Sequence, residues 1–182
     1  MMKYTETELQ GLWILDPVVH EDSRGFFLES FTAKDMEAHG LPANFIQDNH
    51  ARSRVAGVLR GLHFQNPPFA QSKLVRVVRG AVFDVVVDLR RQSKTFGKWL
   101  GVALSEDNKR MLFVPRGFAH GYCTLSPDSE FLYKVDAYYS PAHDAGIRWN
   151  DPAIAVVWPV ADPVVSDKDK QLPCLGEIES PF

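Results

Sequence analysis

Gly57-Val58-Leu59-Arg60-Gly61-Leu62-His63-Phe64-Gln65, taken with Pro115-Arg116-Gly117-Phe118-Ala119-His120-Gly121, is the part of this chain that decides its fold. Val58 to Phe64 is a short β-type run, and others follow the same pattern: Trp13-Ile14-Leu15, Phe26-Phe27-Leu28, Phe45-Ile46, Leu74 to Val78, Ala81 to Leu89, Leu100 to Leu104, Met111 to Val114, Gly121 to Leu125 and Phe131 to Val135. Each is bounded by Gly, Pro, Asn, Asp or Ser, the punctuation of turns. Short strands at this spacing predict an all-β sandwich or barrel. In Ala81 to Leu89, Phe83, Val85, Val87 and Leu89 alternate with Asp84 and Asp88, the pattern of a strand with one buried side. Arg79-Gly80 reads as the hairpin turn before it. One helix is predicted, with Thr32 capping residues 33–39 and Gly40 ending them. The tail from Pro159 to Phe182 reads as an irregular segment with a short helix, draped on the barrel.

At 182 residues the chain has enough length for one full hydrophobic core, so a single domain over 1–182 is expected. A hydrophobic fraction of 45%, a charged fraction of 24% and a net charge of −3 give no reason to invoke nucleic acid or an acidic membrane. Cys123 and Cys174 form neither a disulfide framework nor a zinc-ligand set, so they read as reduced thiols. The polar start of the chain lacks a signal-peptide core, and no uncharged run approaches a membrane span. A cytoplasmic protein is expected.

Strand periodicity then says which side chains can meet. Gly61, His63 and Gln65 point one way, Leu62 and Phe64 the other, and Lys73, Val75 and Val77 form a similar set on the following strand. If the faces carrying His120 and Tyr122, and Phe131 and Tyr133, also turn inward, one cavity holds a base, polar anchors and a phenol. Each residue alone has an ordinary reading: a satisfied strand histidine, a core tyrosine, or, for Asp169 in Ser166-Asp167-Lys168-Asp169-Lys170, a solvated surface segment. Arg60, His63 and Lys73 together are less ordinary. Unpaired cations among apolar strands are costly unless something anionic compensates them, so an anionic ligand is predicted.

The two quoted stretches resemble the half-motifs of a cupin jelly-roll barrel, with most metal ligands replaced. Gln65 stands where a second histidine would be, and Lys73 sits near the usual glutamate. An ammonium cannot ligate a cation but can stabilise an oxyanion. His63 and His120 alone are too few for a stable first-row metal site. Proton abstraction beside a carbonyl is the chemistry this set suits.

A closer resemblance follows from Arg24-Gly25-Phe26-Phe27-Leu28-Glu29, Gln47-Asp48-Asn49-His50, Leu59 to Gln65, Gln71-Ser72-Lys73-Leu74-Val75-Arg76, Val82-Phe83-Asp84-Val85, Pro115 to Gly121, Phe131-Leu132-Tyr133-Lys134, Tyr138-Tyr139-Ser140-Pro141 and Trp149-Asn150-Asp151-Pro152. In order and over nearly the whole chain, these runs resemble the dTDP-4-dehydrorhamnose 3,5-epimerase family. The resemblance implies an all-β, cupin-like fold with a few short helices and an epimerase of a dTDP-linked 4-keto-6-deoxyhexose that uses no cofactor and no metal. It implies His63 as the base, Asp169 as the carboxylate that sets its tautomer and favours the imidazolium, Tyr133 as the acid and Lys73 as the stabiliser of the enolate oxygen. It further implies substrate contacts from Arg24, Glu29, Gln47, Asp48, Asn49, Arg60, Lys73, His120, Asp144 and Lys168. The family forms homodimers in which an N-terminal strand crosses over, so Arg24 and Glu29 would complete the partner's site. Two alternatives stand beside this reading: an epimerase that inverts only C3 or only C5, and a non-catalytic cupin that binds a sugar nucleotide.

Overall fold

The period-2 patterning is realised as two facing antiparallel sheets, seen in a computed structural model that describes residues 2–182. In chain order the strands are β1 (Lys3–Glu6), β2 (Trp13–Asp16), β3 (His20–Asp22), β4 (Gly25–Phe27), β5 (Gln47–Ser53), β6 (Val58–Gln65), β7 (Lys73–Arg79), β8 (Ala81–Asp88), β9 (Trp99–Ser105), β10 (Met111–Val114), β11 (Phe118–Thr124), β12 (Ser129–Val135), β13 (Asp144–Gly146) and β14 (Val164–Val165). The helices are α1 (Ala33–Ala38) and α2 (Asp167–Lys170), with a 3-10 turn at Leu175–Glu177. One sheet runs β1-β2-β10-β7-β12-β5; the other runs β13-β6-β11-β8-β9, with β14 added parallel to β6. β3 and β4 form a separate hairpin.

The inner faces supply the main core. Val75, Val77, Leu112, Val114 and Phe131 of the first sheet meet Val82, Val86, Val102, Leu104, Phe118 and Tyr122 of the second. Each such side chain, fully buried, contributes about 1.5–3 kcal/mol. The outer face of the second sheet carries Leu62, Phe64, Val85, Val87, Leu89 and Ala119, and it is covered by residues that follow β13, among them Ile147, Ile154, Trp158, Leu175 and Phe182. On the outer face of the first sheet, Met36 of α1 and Leu41 close over Leu15, Leu74, Met111 and Phe113. No described helix is long and apolar enough to cross a membrane.

Three local expectations are corrected. Arg79-Gly80 is not a hairpin turn, because β7 and β8 lie in different sheets; Gly80, at φ +74°, turns the corner between them. A Cβ there would sit 2.5 Å from Ser126 Oγ and 2.6 Å from Ser129 Oγ, so the corner also needs the missing side chain. β8 does not have one wet side: Asp84 and Asp88 are both 0% exposed. The covering tail buries one face of β8, and the opposite sheet buries the other. Finally, the strand expected at Phe45-Ile46 begins at Gln47 instead and runs through polar residues to Ser53. Thr32 does hold the N-cap position of α1, but through its carbonyl; its side chain makes no capping bond. β1, β3 and β13 are short strands without an apolar run, and β14 is only the pair Val164-Val165, so none carries the alternation that marks a strand in sequence.

Asp88 shows how a buried carboxylate is accommodated. It accepts from Arg90 N and Nε, both at 2.9 Å, from Arg90 Nη2 at 2.8 Å, from Ser93 Oγ at 2.6 Å and from Thr95 Oγ1 at 2.7 Å. Burial pushes its pKa up, but these bonds outweigh burial and hold it at about 2, against 3.8 for a free carboxyl. A depressed pKa stabilises the fold above the free value, and that contribution is lost as pH falls toward about 2. Asp88→Asn should therefore lower stability near neutral pH by about 2 kcal/mol and flatten the acid limb of a melting-temperature profile. An unchanged acid limb in circular-dichroism melts from pH 7 to pH 2 would refute this.

Candidate active site

Between the sheets lies a cavity of about 550 Å³, whose walls include Arg60 and His63 of β6, Lys73 of β7, His120 and Tyr122 of β11, and Phe131 and Tyr133 of β12. The segment from Val164 to Asp169 contributes a further wall. β6 and β7 follow one another in sequence but belong to opposite sheets, so His63 and Lys73 approach the cavity from opposite sides.

Strict alternation would put Arg60 and His63 on opposite faces of β6. The structure brings both to the cavity because the β6–β11 register slips: His120 pairs with His63, yet Tyr122 pairs with Arg60, leaving one extra residue in β6. Such a bulge reverses the side-chain alternation beyond it. It requires glycine on both strands. Gly61 has φ +122° and a Cβ there would meet Gly121 Cα at 2.7 Å, while a Cβ on Gly121 would meet the Arg60 carbonyl at 2.4 Å.

His63 Nε2 lies 2.7 Å from Asp169 Oδ1. The other carboxylate oxygen accepts from Gly61 N at 3.1 Å, and Ser166 Oγ caps α2 by accepting from Asp169 N at 3.1 Å. Burial raises the Asp169 pKa, but the His63 bond and charge, the Gly61 amide and Ser166 outweigh it and leave the carboxyl below its ordinary value. An ionised carboxylate can only accept, so Nε2–H donates to it and the neutral imidazole carries its lone pair on Nδ1. Tyr133 sits on the facing sheet. Burial raises its pKa, Arg60 opposes the rise, and Asp144 and Tyr139 add to it, so the phenol holds its proton at neutral pH.

Lys73 makes no ion pair within 4 Å among the described residues. Desolvation lowers its pKa to about 8, against the opposing pull of Asp84 and Asp144. Asp84 holds His120: the Nε2 of His120 lies 2.9 and 3.0 Å from its two oxygens. Burial raises the Asp84 pKa, while His120 and Lys73 draw it down. The cavity thus holds two histidine–carboxylate pairs, with the histidines directly cross-strand from each other. Alternation puts Asp84 on the polar face of β8, but Val82 and Val86 share that face, and they are the sequence signal that it is buried. Tyr122 Oη is buried without a hydrogen-bond partner among the described residues, a state that costs about 1–3 kcal/mol.

Lys168 lines the cavity and pairs with Asp144, which also accepts from Tyr139 Oη at 3.1 Å. Gln47 and Asn49 share a face of β5 with the cavity-lining Ala51 and bond each other at 2.9 Å. Asp48 is on the opposite face of β5, 2.9 Å from Lys134 Nζ and away from the cavity. Arg24 is on the β3–β4 hairpin, bound to Asp22, and Glu29 lines a separate hollow with Tyr4, His20 and Asp35. Gln65, two residues beyond His63, ties loops together, donating to the carbonyls of Phe69 and Tyr138 and accepting from Ser140 N at 2.7 Å. Among the described residues no group of three or more His, Cys, Asp or Glu side chains is placed to hold a metal ion. Both cysteines are free; burial pushes the Cys123 thiol up to about 11.

Comparison with known proteins identifies the family and the fold. The family model described as dTDP-4-dehydrorhamnose 3,5-epimerase matches residues 6–177. The dTDP-4-dehydrorhamnose 3,5-epimerase of Shigella flexneri is 53% identical over 169 residues, 92% of this chain and 93% of its own. The crystal structure of dTDP-4-dehydrorhamnose 3,5-epimerase from Bacillus anthracis, with TDP and PPi bound, superposes with a TM-score of 0.94 at 51% identity, covering 96% of this chain and 99% of that one. A second, the dTDP-6-deoxy-D-glucose-3,5-epimerase of Legionella pneumophila in complex with dTDP-4-keto-L-rhamnose, has a TM-score of 0.94 at 45% identity and covers 98% and 95% of the two chains.

Fold and cavity together define a nucleotide-sugar epimerase built on a cupin-like double sheet. More particularly, the chain belongs to the dTDP-4-dehydrorhamnose 3,5-epimerase family.

The charge network around Lys73 can be tested directly. Asp84 opposes the desolvation of the ammonium, so Asp84→Asn should move the Lys73 pKa further below about 8. NMR titration of the lysine side-chain carbon shifts reads this. An unmoved Lys73 midpoint in the variant would show that the two groups are not coupled.

Proposed function

We propose that this protein converts dTDP-4-dehydro-6-deoxy-D-glucose to dTDP-4-dehydro-L-rhamnose by inverting C3 and C5, a step of dTDP-L-rhamnose synthesis. The observation that carries the reading is the pairing of half-buried His63 with buried Asp169 in one cavity with Tyr133 and Lys73. A 4-keto group acidifies the protons at C3 and C5. The free Nδ1 of His63 takes one of these protons, the C–H electron pair moves into the ring, and the charge settles on the C4 oxygen as an enolate. Lys73, charged below about pH 8 and partly stripped of water, stabilises that oxygen. Tyr133 then returns a proton to the carbon from the opposite face, which inverts the centre. The imidazolium and the phenolate exchange with solvent, and the cycle repeats at the second carbon. Asp169 holds the imidazole in the one tautomer that leaves Nδ1 free.

Arg60, His120, Lys168, Asp144, Gln47 and Asn49 surround this centre and suit the diphosphate and thymidine; a guanidinium can give two parallel bonds to a phosphate. The relatives support the substrate class, since that of Bacillus anthracis holds TDP and PPi and that of Legionella pneumophila holds dTDP-4-keto-L-rhamnose. Asp48 does not line the cavity, and its carboxylate is engaged by Lys134. Arg24 and Glu29 lie on and beside a hairpin that exposes Phe26 and Phe27, and in this reading they serve the cavity of a second copy in a homodimer. A cytoplasmic setting suits the two free thiols.

Incubation with dTDP-4-keto-6-deoxyglucose in heavy water, followed by NMR, tests the chemistry. Deuterium should enter at both C3 and C5; entry at one carbon only would make this a single-site epimerase. His63→Ala should cut wash-in by about 10²–10⁴-fold, and Tyr133→Phe should slow reprotonation more than abstraction. Wild-type wash-in by His63→Ala would remove the assigned base. The shared-site reading has its own check. Co-expressed Arg24→Ala and His63→Ala chains should recover activity that neither variant has alone, through dimers that hold one intact cavity. No recovery on mixing would place Arg24 outside the partner's site.

A further inference from the structure

Tyr122 Oη is the one buried side-chain polar atom among the described residues that has no hydrogen-bond partner. Its ring stacks on Phe131 with centroids 4.1 Å apart and planes 18° apart, a contact that phenylalanine would make equally well. The hydroxyl therefore serves no packing role, yet the residue forms part of the cavity wall. The Ser53 hydroxyl is close by but outside hydrogen-bonding geometry with it, and accepts instead from Arg60 Nε at 3.4 Å. Burial pushes the Tyr122 pKa up to about 12, so the group is a neutral phenol with a proton to give.

Its neighbour on the cavity wall is an exposed cation with no fixed counter-charge. Arg60 is the register partner of Tyr122 across β6 and β11, and no carboxylate lies within 4 Å of its guanidinium among the described residues. Only two long bonds hold it, 3.4 Å to Ser53 Oγ and 3.4 Å to the Arg52 carbonyl. A guanidinium free of any carboxylate, beside a buried phenolic donor that lacks an acceptor, suits an anionic oxygen that both can bond.

We propose that Tyr122 is a ligand-binding residue whose hydroxyl donates to a phosphate oxygen of the substrate diphosphate, in a joint grip with Arg60. Tyr122 Oη is shielded from bulk water in the free protein, so the bond forms as Arg60 leaves its two long tethers and turns to the phosphate. This inference rests on the reading of the cavity as a nucleotide-sugar site.

Calorimetric titration of dTDP into the wild type and Tyr122→Phe, with steady-state kinetics and melting curves, tests it. The variant should bind dTDP about 10-fold or more weakly, the scale of a hydrogen bond to a charged group. The kinetic loss should fall on KM rather than kcat. Its melting temperature should hold or rise, because an unpaired buried donor has been removed. Equal dTDP affinity in the two proteins overturns the inference and leaves the cavity reading intact. A wild type that does not bind dTDP overturns the cavity reading itself. A fall in kcat with dTDP affinity kept, or a fall in melting temperature, also overturns the inference, by giving the hydroxyl to proton transfer or to the fold.

Discussion

The extra residue in β6 opposite β11 is the constraint on which the site depends. Without it Arg60 would face the apolar outer layer with Leu62 and Phe64, and an unpaired guanidinium there would carry a prohibitive desolvation cost. With it, the cationic side chain and the histidine share one wall. Gly61 and Gly121 pack backbone to backbone at this point, so the positions that allow the slip have no room for any side chain. The placement of His63 and of Arg60 on one wall is thus a single structural event.

The cavity is a polar interior enclosed by two apolar layers, and its charges are tolerated because most are paired. Asp169 answers His63, Asp84 answers His120, and Asp144 answers Lys168. Lys73 and Arg60 are left without a carboxylate in contact among the described residues, and in the proposed function they are the cations that meet the enolate and phosphate oxygens. Burial does two things at once here. It lowers the Lys73 pKa to about 8, and it strengthens the interaction of whatever charge remains with an incoming anion.

The segment after β13 does more than cover the sheet. Ile154, Trp158, Leu175 and Phe182 bury the outer face of the second sheet, while β14 and α2, between them in sequence, wrap to the cavity side and deliver Asp169 to His63. A contact spanning 106 residues of chain is held by the same tail that seals the core. Stability and catalytic geometry are coupled through that tail.

Period-2 alternation and turn residues determined most strands, because each is a local property of a few consecutive side chains. The chemistry of the site was also legible as residue types: a histidine, a lysine, a phenol and an arginine on runs otherwise apolar. Tertiary structure alone decided how they meet. No local pattern says that Gly80 turns between sheets instead of within one, that β8 is buried on both faces, or that one inserted residue flips Arg60 to the side of His63. Nor could a charged run such as Asp167-Lys168-Asp169-Lys170 reveal which of its members would be buried, since burial depends on the sheet it docks against. Sequence specifies backbone preference and chemical type at each position; desolvation, register and long-range pairing are properties of the packed whole.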